Sequence, residues 1–193
     1  MTRPRAFDID VATDRALELF RVRGYEGASL SELASVMGIN RPSLYAAFDS
    51  KEGLFRRALE RYTARRGLGI AEAMSAATAK EAAFQVMRSY ADWSSQAEGA
   101  RGCLLVQGAL VCSEDGAEIQ KLLAKERDGV QATLRKRFER AAAEGDLPDD
   151  ARPAELAQYV WTVCNGLSVQ ATGGATRAQL RRVVDLAIRA WPK

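Results

Sequence analysis

The sequence predicts an all-α chain in two parts, a small N-terminal unit of three short helices and a larger helical remainder. Three observations lead there. Apolar residues recur three and four apart through almost all of the 193 residues, period-2 alternation is rare, and capping residues and glycines bracket the periodic runs. At 47% hydrophobic residues, the chain has the composition of a globular protein long enough to bury a core.

Ile9, Ala12, Ala16, Leu19 and Phe20 form one stripe from about Asp8. Gly24 ends it, because a residue without Cβ suits a left-handed C-terminal turn. Ser29-Leu30-Ser31-Glu32 matches a capping box, in which the Ser29 oxygen accepts from the third helical amide and Glu32 reaches back to the cap amide. The short helix that follows turns Leu33, Ala34 and Met37 inward and stops at Gly38. Asn40 caps a third helix with Pro42 in its first turn, where a missing N–H costs nothing, and Leu44, Ala47 and Phe48 continue it. Two short helices joined by a tight glycine-containing turn are the helix-turn-helix signature.

Ser50 caps a fourth helix carrying Leu54, Phe55, Ala58, Leu59 and Tyr62, after which Gly67 and Gly69 loosen the chain. The expected division is therefore residues 1–50, a connecting helix over 51–67, and a larger helical domain over 68–193. Within that domain helices are expected near 71–97, 102–113, 116–144, 153–172 and 176–191. The breaks fall at Glu98-Gly99, Asp115-Gly116, Gly145 to Pro153 and Gly173-Gly174.

Composition removes several function classes. There is no histidine, so Ser-His-Asp, Cys-His and His-ligated metal arrangements are all missing. Cys103, Cys112 and Cys164 show no C-x-x-C spacing, which argues against a zinc site or disulfide framework and suits a reducing compartment. No run of about 18 apolar residues could span a bilayer, and Met1 to Asp14 lacks the apolar stretch of a signal peptide. A cytoplasmic protein with no membrane association, no metal and no cofactor is expected.

The net charge of +3 is unevenly spread. Residues 1–66 hold 12 of the 28 Lys and Arg against 9 of the 25 Asp and Glu, leaving 16 of each for the rest. An N-terminal excess of positive charge fits a polyanion partner or a solvated face. Arg56, Arg57, Arg61, Arg65 and Arg66 fall on one helix, where pairing with Glu52 and Glu60 is the simplest expectation.

Between Ala12 and Phe55 the chain resembles the TetR family of bacterial transcriptional regulators. The resemblance rests on Ser29, Leu33-Ala34, Gly38-Ile39, Leu44-Tyr45-Ala46-Ala47-Phe48 and Lys51-Glu52-Gly53-Leu54. It implies an N-terminal helix-turn-helix DNA-binding domain and a C-terminal ligand-binding and dimerisation domain. The physical requirement is separate and also met: a helix that enters the major groove needs a face free of carboxylates, and Asn40 to Ala47 contains no acid. On the resemblance, Ser29, Ser31, Arg41, Pro42, Ser43, Tyr45 and Lys51 are DNA-binding candidates. Tyr45 and Lys51 match backbone-contacting positions, and Arg41 suits either a guanine edge or a phosphate. Ala47 departs from the histidine of many members and removes one backbone contact, which shifts weight to Arg3 and Arg5 in the N-terminal arm.

In the larger domain, Trp161, Cys164, Ser168 and Ala171 form one stripe and Leu156, Val160, Val163 and Leu167 a second. A helix apolar on two faces must bury both. The last helix, with Leu180, Val183, Val184, Ala187, Ile188 and Trp191, has the same excess. These helices resemble the pair through which the family forms a homodimer. The resemblance also implies a pocket for a small-molecule inducer among helices carrying Phe84, Met87, Leu104, Leu105, Leu110 and Phe138. Tyr90, Trp93, Gln107, Trp161 and Asn165 are the ligand candidates, each joining bulk to a polar handle or setting a polar group in an apolar stripe. Cys103, after Arg101 and at a helix start, is a candidate sensor thiol, with a buried structural cysteine as the simpler alternative.

The expected function is a ligand-responsive repressor released from a palindromic double-stranded operator by an inducer. A constitutive regulator or activator, and an all-helical small-molecule carrier or enzyme, are the alternatives. The enzyme alternative is weakened because no nucleophile or spaced-carboxylate constellation is visible.

Overall fold

The computed structural model describes residues 7–96, 100–110 and 116–192. Among these residues the chain is all-helical: α1 Ile9–Gly27, α2 Leu30–Met37, α3 Arg41–Phe48, α4 Lys51–Met74, α5 Ala79–Ser94, α6 Leu104–Leu110, α7 Ala117–Ala143, α8 Pro153–Thr172 and α9 Arg177–Ala187. A 3-10 turn, Ile188–Ala190, closes the last helix. The arm residues Arg3 and Arg5 and the third cysteine, Cys112, lie outside the described residues.

The local signals that set the first three helices are realised. Asp8 caps α1 through its carboxylate, and Gly24 takes a positive φ of 70°, although one further turn follows to Gly27. Leu33, Ala34, Leu44 and Phe48 pack with Ala12, Ala16, Leu17 and Phe20 into the core of a compact head.

The fourth helix departs from expectation. It runs through Gly67 and Gly69 to Met74, 24 residues in all. Burial of Tyr62, Arg66 and Ala73 holds it past two residues that disfavour helix by about 1 kcal/mol each. The break falls instead at residues 75–78, where the Thr78 hydroxyl accepts from the Glu81 amide at 3.1 Å and starts α5. The single helix expected over 71–97 is thus two. α4, at about 1.5 Å per residue, carries the head on one end and lines the body with the other.

Ion pairs fasten α1 to α4. Both Asp14 oxygens accept from Arg61, at 2.8 and 2.9 Å, and one also accepts from Arg65 at 2.7 Å. Asp10 meets Arg61 at 2.9 Å and Arg57 at 3.6 Å. Only Arg56 makes the expected pairing along its own helix, with Glu52 at 2.7 Å.

The two apolar stripes of α8 both serve this chain's own core. Val160 and Leu167 of the second stripe are buried with Trp161, Cys164, Ser168 and Ala171 of the first. Val163 and Leu156 are only half-buried, and Val169, Val183 and Leu186 stand exposed on α8 and α9. No described helix is long and apolar enough to cross a membrane.

Candidate nucleic-acid interface and the cleft behind it

α2 and α3 are eight residues each, too short to stand without caps and packing. At α2 the Glu32 amide donates to Ser29 Oγ at 3.2 Å, and the Ser29 amide donates to Glu32 Oε2 at 3.0 Å. Hydrogen bonds from Ser29 hold the Glu32 carboxyl below its ordinary pKa. Gly38 adopts the left-handed conformation, φ 70° and ψ 31°, that reverses the chain between the helices. Asn40 Oδ1 accepts from the Ser43 amide at 2.8 Å and opens α3.

Leu44 and Phe48 anchor α3 inward. That burial fixes its rotation, so Arg41, Pro42, Tyr45 and Ala46 are exposed and Ser43 is half-buried on the other side. Tyr45 keeps 45% of its surface in solvent. The Arg41 guanidinium donates to Ser31 Oγ, which joins α2 and α3 through two of the predicted contact residues.

The other two predicted contacts have their polar groups engaged. Ser29 Oγ donates to Glu32 Oε2 at 2.7 Å. Lys51 Nζ donates to the Glu26 carbonyl at 3.4 Å and lies 4.5 Å from the Tyr25 ring centroid, and burial lowers its pKa. Arg15 is a basic residue that sequence reasoning passed over: a Cβ on Gly38 would stand 3.4 Å from its Nη1, which places it at the helix-turn-helix turn.

Behind the head lies a cleft of about 260 Å³ formed by α4, α5, α6 and α7, with Tyr62, Arg66, Ile70, Tyr90, Leu105 and Val130 in its wall. Of the five predicted ligand residues, Tyr90 lines it. Trp161 packs edge-on behind Tyr90 at 5.5 Å, and Trp93 stands 6.2 Å from the Tyr62 ring; neither is part of this wall. Gln107 donates to the Arg101 carbonyl at 3.1 Å and to Thr172 Oγ1 at 3.2 Å, tying α6 to α8 beside a separate cleft of about 220 Å³. Asn165, also outside the cleft between α4 and α7, keeps a buried Oδ1 without a partner among the described residues.

Cys103 is buried and its sulfur accepts from the Tyr62 hydroxyl at 3.1 Å. Cys164 is buried too, and desolvation drives its thiol pKa far up. Nothing local marks Arg66 as a cleft residue, since it reads as one more arginine on a charged helix face.

Head and body are stitched where α1 meets the segment before α6. The Ala100 amide donates to Glu18 Oε2 at 3.0 Å, and the buried Arg21 guanidinium donates to the Ala100 carbonyl. α4 and this stitch therefore connect the wall of the cleft to the helix-turn-helix.

A capped, acid-free helix presented by a small helical head, with a helical body behind it, defines a DNA-binding transcriptional regulator of the helix-turn-helix class. Residues 12–58 match the family model described as bacterial regulatory proteins, tetR family, and residues 79–187 match the tetracyclin repressor-like C-terminal domain. The HTH-type transcriptional repressor ComR of Escherichia coli (strain K12) is 30% identical over 193 residues, covering 99% of this chain and 92% of that protein. The HTH-type transcriptional repressor BdcR of the same strain is 31% identical, over 92% of this chain and 86% of its own length. Among solved structures, a cysteine-substituted form of the TetR family regulator CifR, complexed with 26-bp double-strand operator DNA, is similar with a TM-score of 0.94. It is 43% identical over 98% of this chain and 100% of that one. The chain belongs to the tetR family, a family of transcriptional regulators and not of enzymes.

Proposed function

We propose that the protein is a homodimeric repressor that holds a palindromic operator through α3 of each head and releases it when a small molecule enters the cleft. The observation that carries this reading is the outward, acid-free face of α3, oriented by Leu44 and Phe48. Arg41, Pro42, Ser43 and Tyr45 would meet the major groove, with Ser31 steering Arg41. Ser29 and Lys51 would reach phosphates once their present hydrogen bonds open. The similarity to an operator-bound regulator supports the same use of the head here. We set the head at residues 1–50, the connecting helix at 51–67 and the body at 68–193.

Dimerisation is assigned to α8 and α9, where Val169, Val183 and Leu186 are exposed at 48%, 46% and 62%. A two-fold dimer places two recognition helices to read a two-fold site. Ligand control follows from α4, which lines the cleft with Tyr62 and Arg66 and is bound through Arg61 to α1. A ligand that fits the cleft better in one head spacing shifts the equilibrium towards that spacing.

Arg41→Ala and Tyr45→Ala test the reading in a gel-shift with operator selected from random duplexes. Each variant should lose about ten- to a hundredfold in affinity with helicity retained. Unchanged binding by both variants removes α3 as the recognition helix.

A further inference from the structure

We infer that the cleft between α4 and α7 takes a small monocarboxylate with an apolar body, its charge paired with Arg66. The inference deepens the ligand-responsive reading above and depends on it for its regulatory meaning. Binding itself is measured without DNA.

Arg66 is only 7% exposed, and its Nε and Nη2 have no hydrogen-bond partner among the described residues. Its guanidinium carbon lies 4.0 Å from the Tyr90 ring centroid and 5.2 Å from that of Trp93. Ring faces attract the cation, but they leave in-plane N–H groups unsatisfied, and a buried unpartnered donor is costly. The other buried arginines, Arg21 and Arg137, also keep buried nitrogens without a partner among the described residues, but each donates to a carbonyl: Arg21 to Ala100 and Arg137 to Ala76, the latter at 3.0 Å. Among the described residues no ion pair joins Arg66 to a carboxylate, Glu126 of the same wall included. Burial pushes the Tyr62 and Tyr90 phenols far up, so both stay neutral near pH 7.

A carboxylate supplies what is missing, two planar acceptors and one negative charge. The rest of the wall selects the body of the ligand. Ile70, Ala71, Leu105 and Val130 are apolar, and about 260 Å³ falls below the roughly 300–1,000 Å³ of drug-sized sites, leaving room for a short chain or a single ring. Among the described residues of this wall Arg66 is the one cation and Glu126 the one acid, so a dianion such as a phosphate monoester is poorly matched.

Calorimetric titration of the DNA-free protein with benzoate and hexanoate, against benzamide and hexan-1-ol, tests the assignment. The acids should bind at least about tenfold more tightly than their neutral counterparts. In Arg66→Met that preference should fall below about twofold, with the melting temperature kept or raised because an uncompensated buried charge has gone. Gly129→Leu adds an independent arm: Gly129 lines the cleft and a Cβ there meets no heavy atom within 4 Å, so the added side chain starts from open space at the edge of the cleft. Acid binding should drop at least about tenfold in that variant although Arg66 is intact. Equal binding of acids and neutral analogues, equal acid binding by Arg66→Met, or no acid binding overturns the inference. An operator gel-shift of the ligand-free protein separates the two readings. Intact operator binding without acid binding sinks the carboxylate site alone, and acid binding without operator binding sinks the repressor reading alone.

Discussion

In the head, Ser29, Asn40 and Ser50 each turn a side-chain oxygen onto the amide three residues ahead. Further along, Thr78 and Thr176 do the same, but Arg66, Trp93, Arg137 and Asn165 keep buried polar atoms without a partner among the described residues, against Arg21 Nε alone in the head. For α2 and α3 the weight on caps follows helix length. Helices of eight residues leave most of their amides and carbonyls outside the intrahelical ladder, so caps supply a large part of their stability. Helices of 20 to 27 residues, such as α7 and α8, are held by packing and can carry polar groups that stability does not use. Most polar side chains of the short head helices are thus engaged in caps, while Arg66, in the wall of the cleft, keeps donors that folding leaves unused.

The largest effect is expected from Leu44→Ala, which empties a fully buried position in the small head core. It should cost about 3 kcal/mol and abolish operator binding while the body keeps its helices, as circular dichroism and urea unfolding would show. Loss of helicity throughout the chain would mean that head and body fold as one unit.

Ser29→Ala should cost about 1 kcal/mol by removing the capping box. If Ser29 also reaches a phosphate, the slope of operator affinity against salt should stay nearly unchanged, since a neutral hydroxyl releases no counterion, while Lys51→Ala should lower it by about one.

Asp14→Asn, the smallest effect, should cost less than about 1 kcal/mol because the pairs are partly exposed. Its pH dependence has a definite sign. Hydrogen bonds from Arg61, then from Arg65, outweigh burial and hold the Asp14 carboxyl below its ordinary pKa in the folded state. The stabilisation is therefore complete above the unfolded value of about 3.9 and fades as pH falls through the lower folded value. The advantage of the natural protein over the variant should be level from about pH 5 upward and vanish in strong acid, read by urea midpoints. Asp92, held low by its paired bonds from Arg181, adds to the same acid sensitivity between α5 and α9.

Much of the head was legible because its determinants lie within a few residues of one another. The caps at Ser29, Asn40 and Ser50, the turn at Gly38 and the inward set Leu33, Leu44 and Phe48 are all short-range signals. The continuation of α4 was not legible, since Gly67 and Gly69 argue against helix locally and only the contacts of Tyr62 and Arg66 with distant helices override them. Side-chain character alone does not tell which ligand candidates share a cleft: Tyr90 lines the one between α4 and α7, Gln107 a separate one, and Trp93 and Trp161 neither.

Residue order is enough to specify the helices, the helix-turn-helix and the outward face of α3, because periodicity and capping act over one or two turns. Which of five arginines on one helix are neutralised is settled by packing between distant parts of the chain. Arg61 meets Asp14, 47 residues away in the chain, while Arg66, little more than one turn further, lies over the rings of Tyr90 and Trp93. Charge compensation depends on distance in space, and helical spacing does not encode what stands across from each turn.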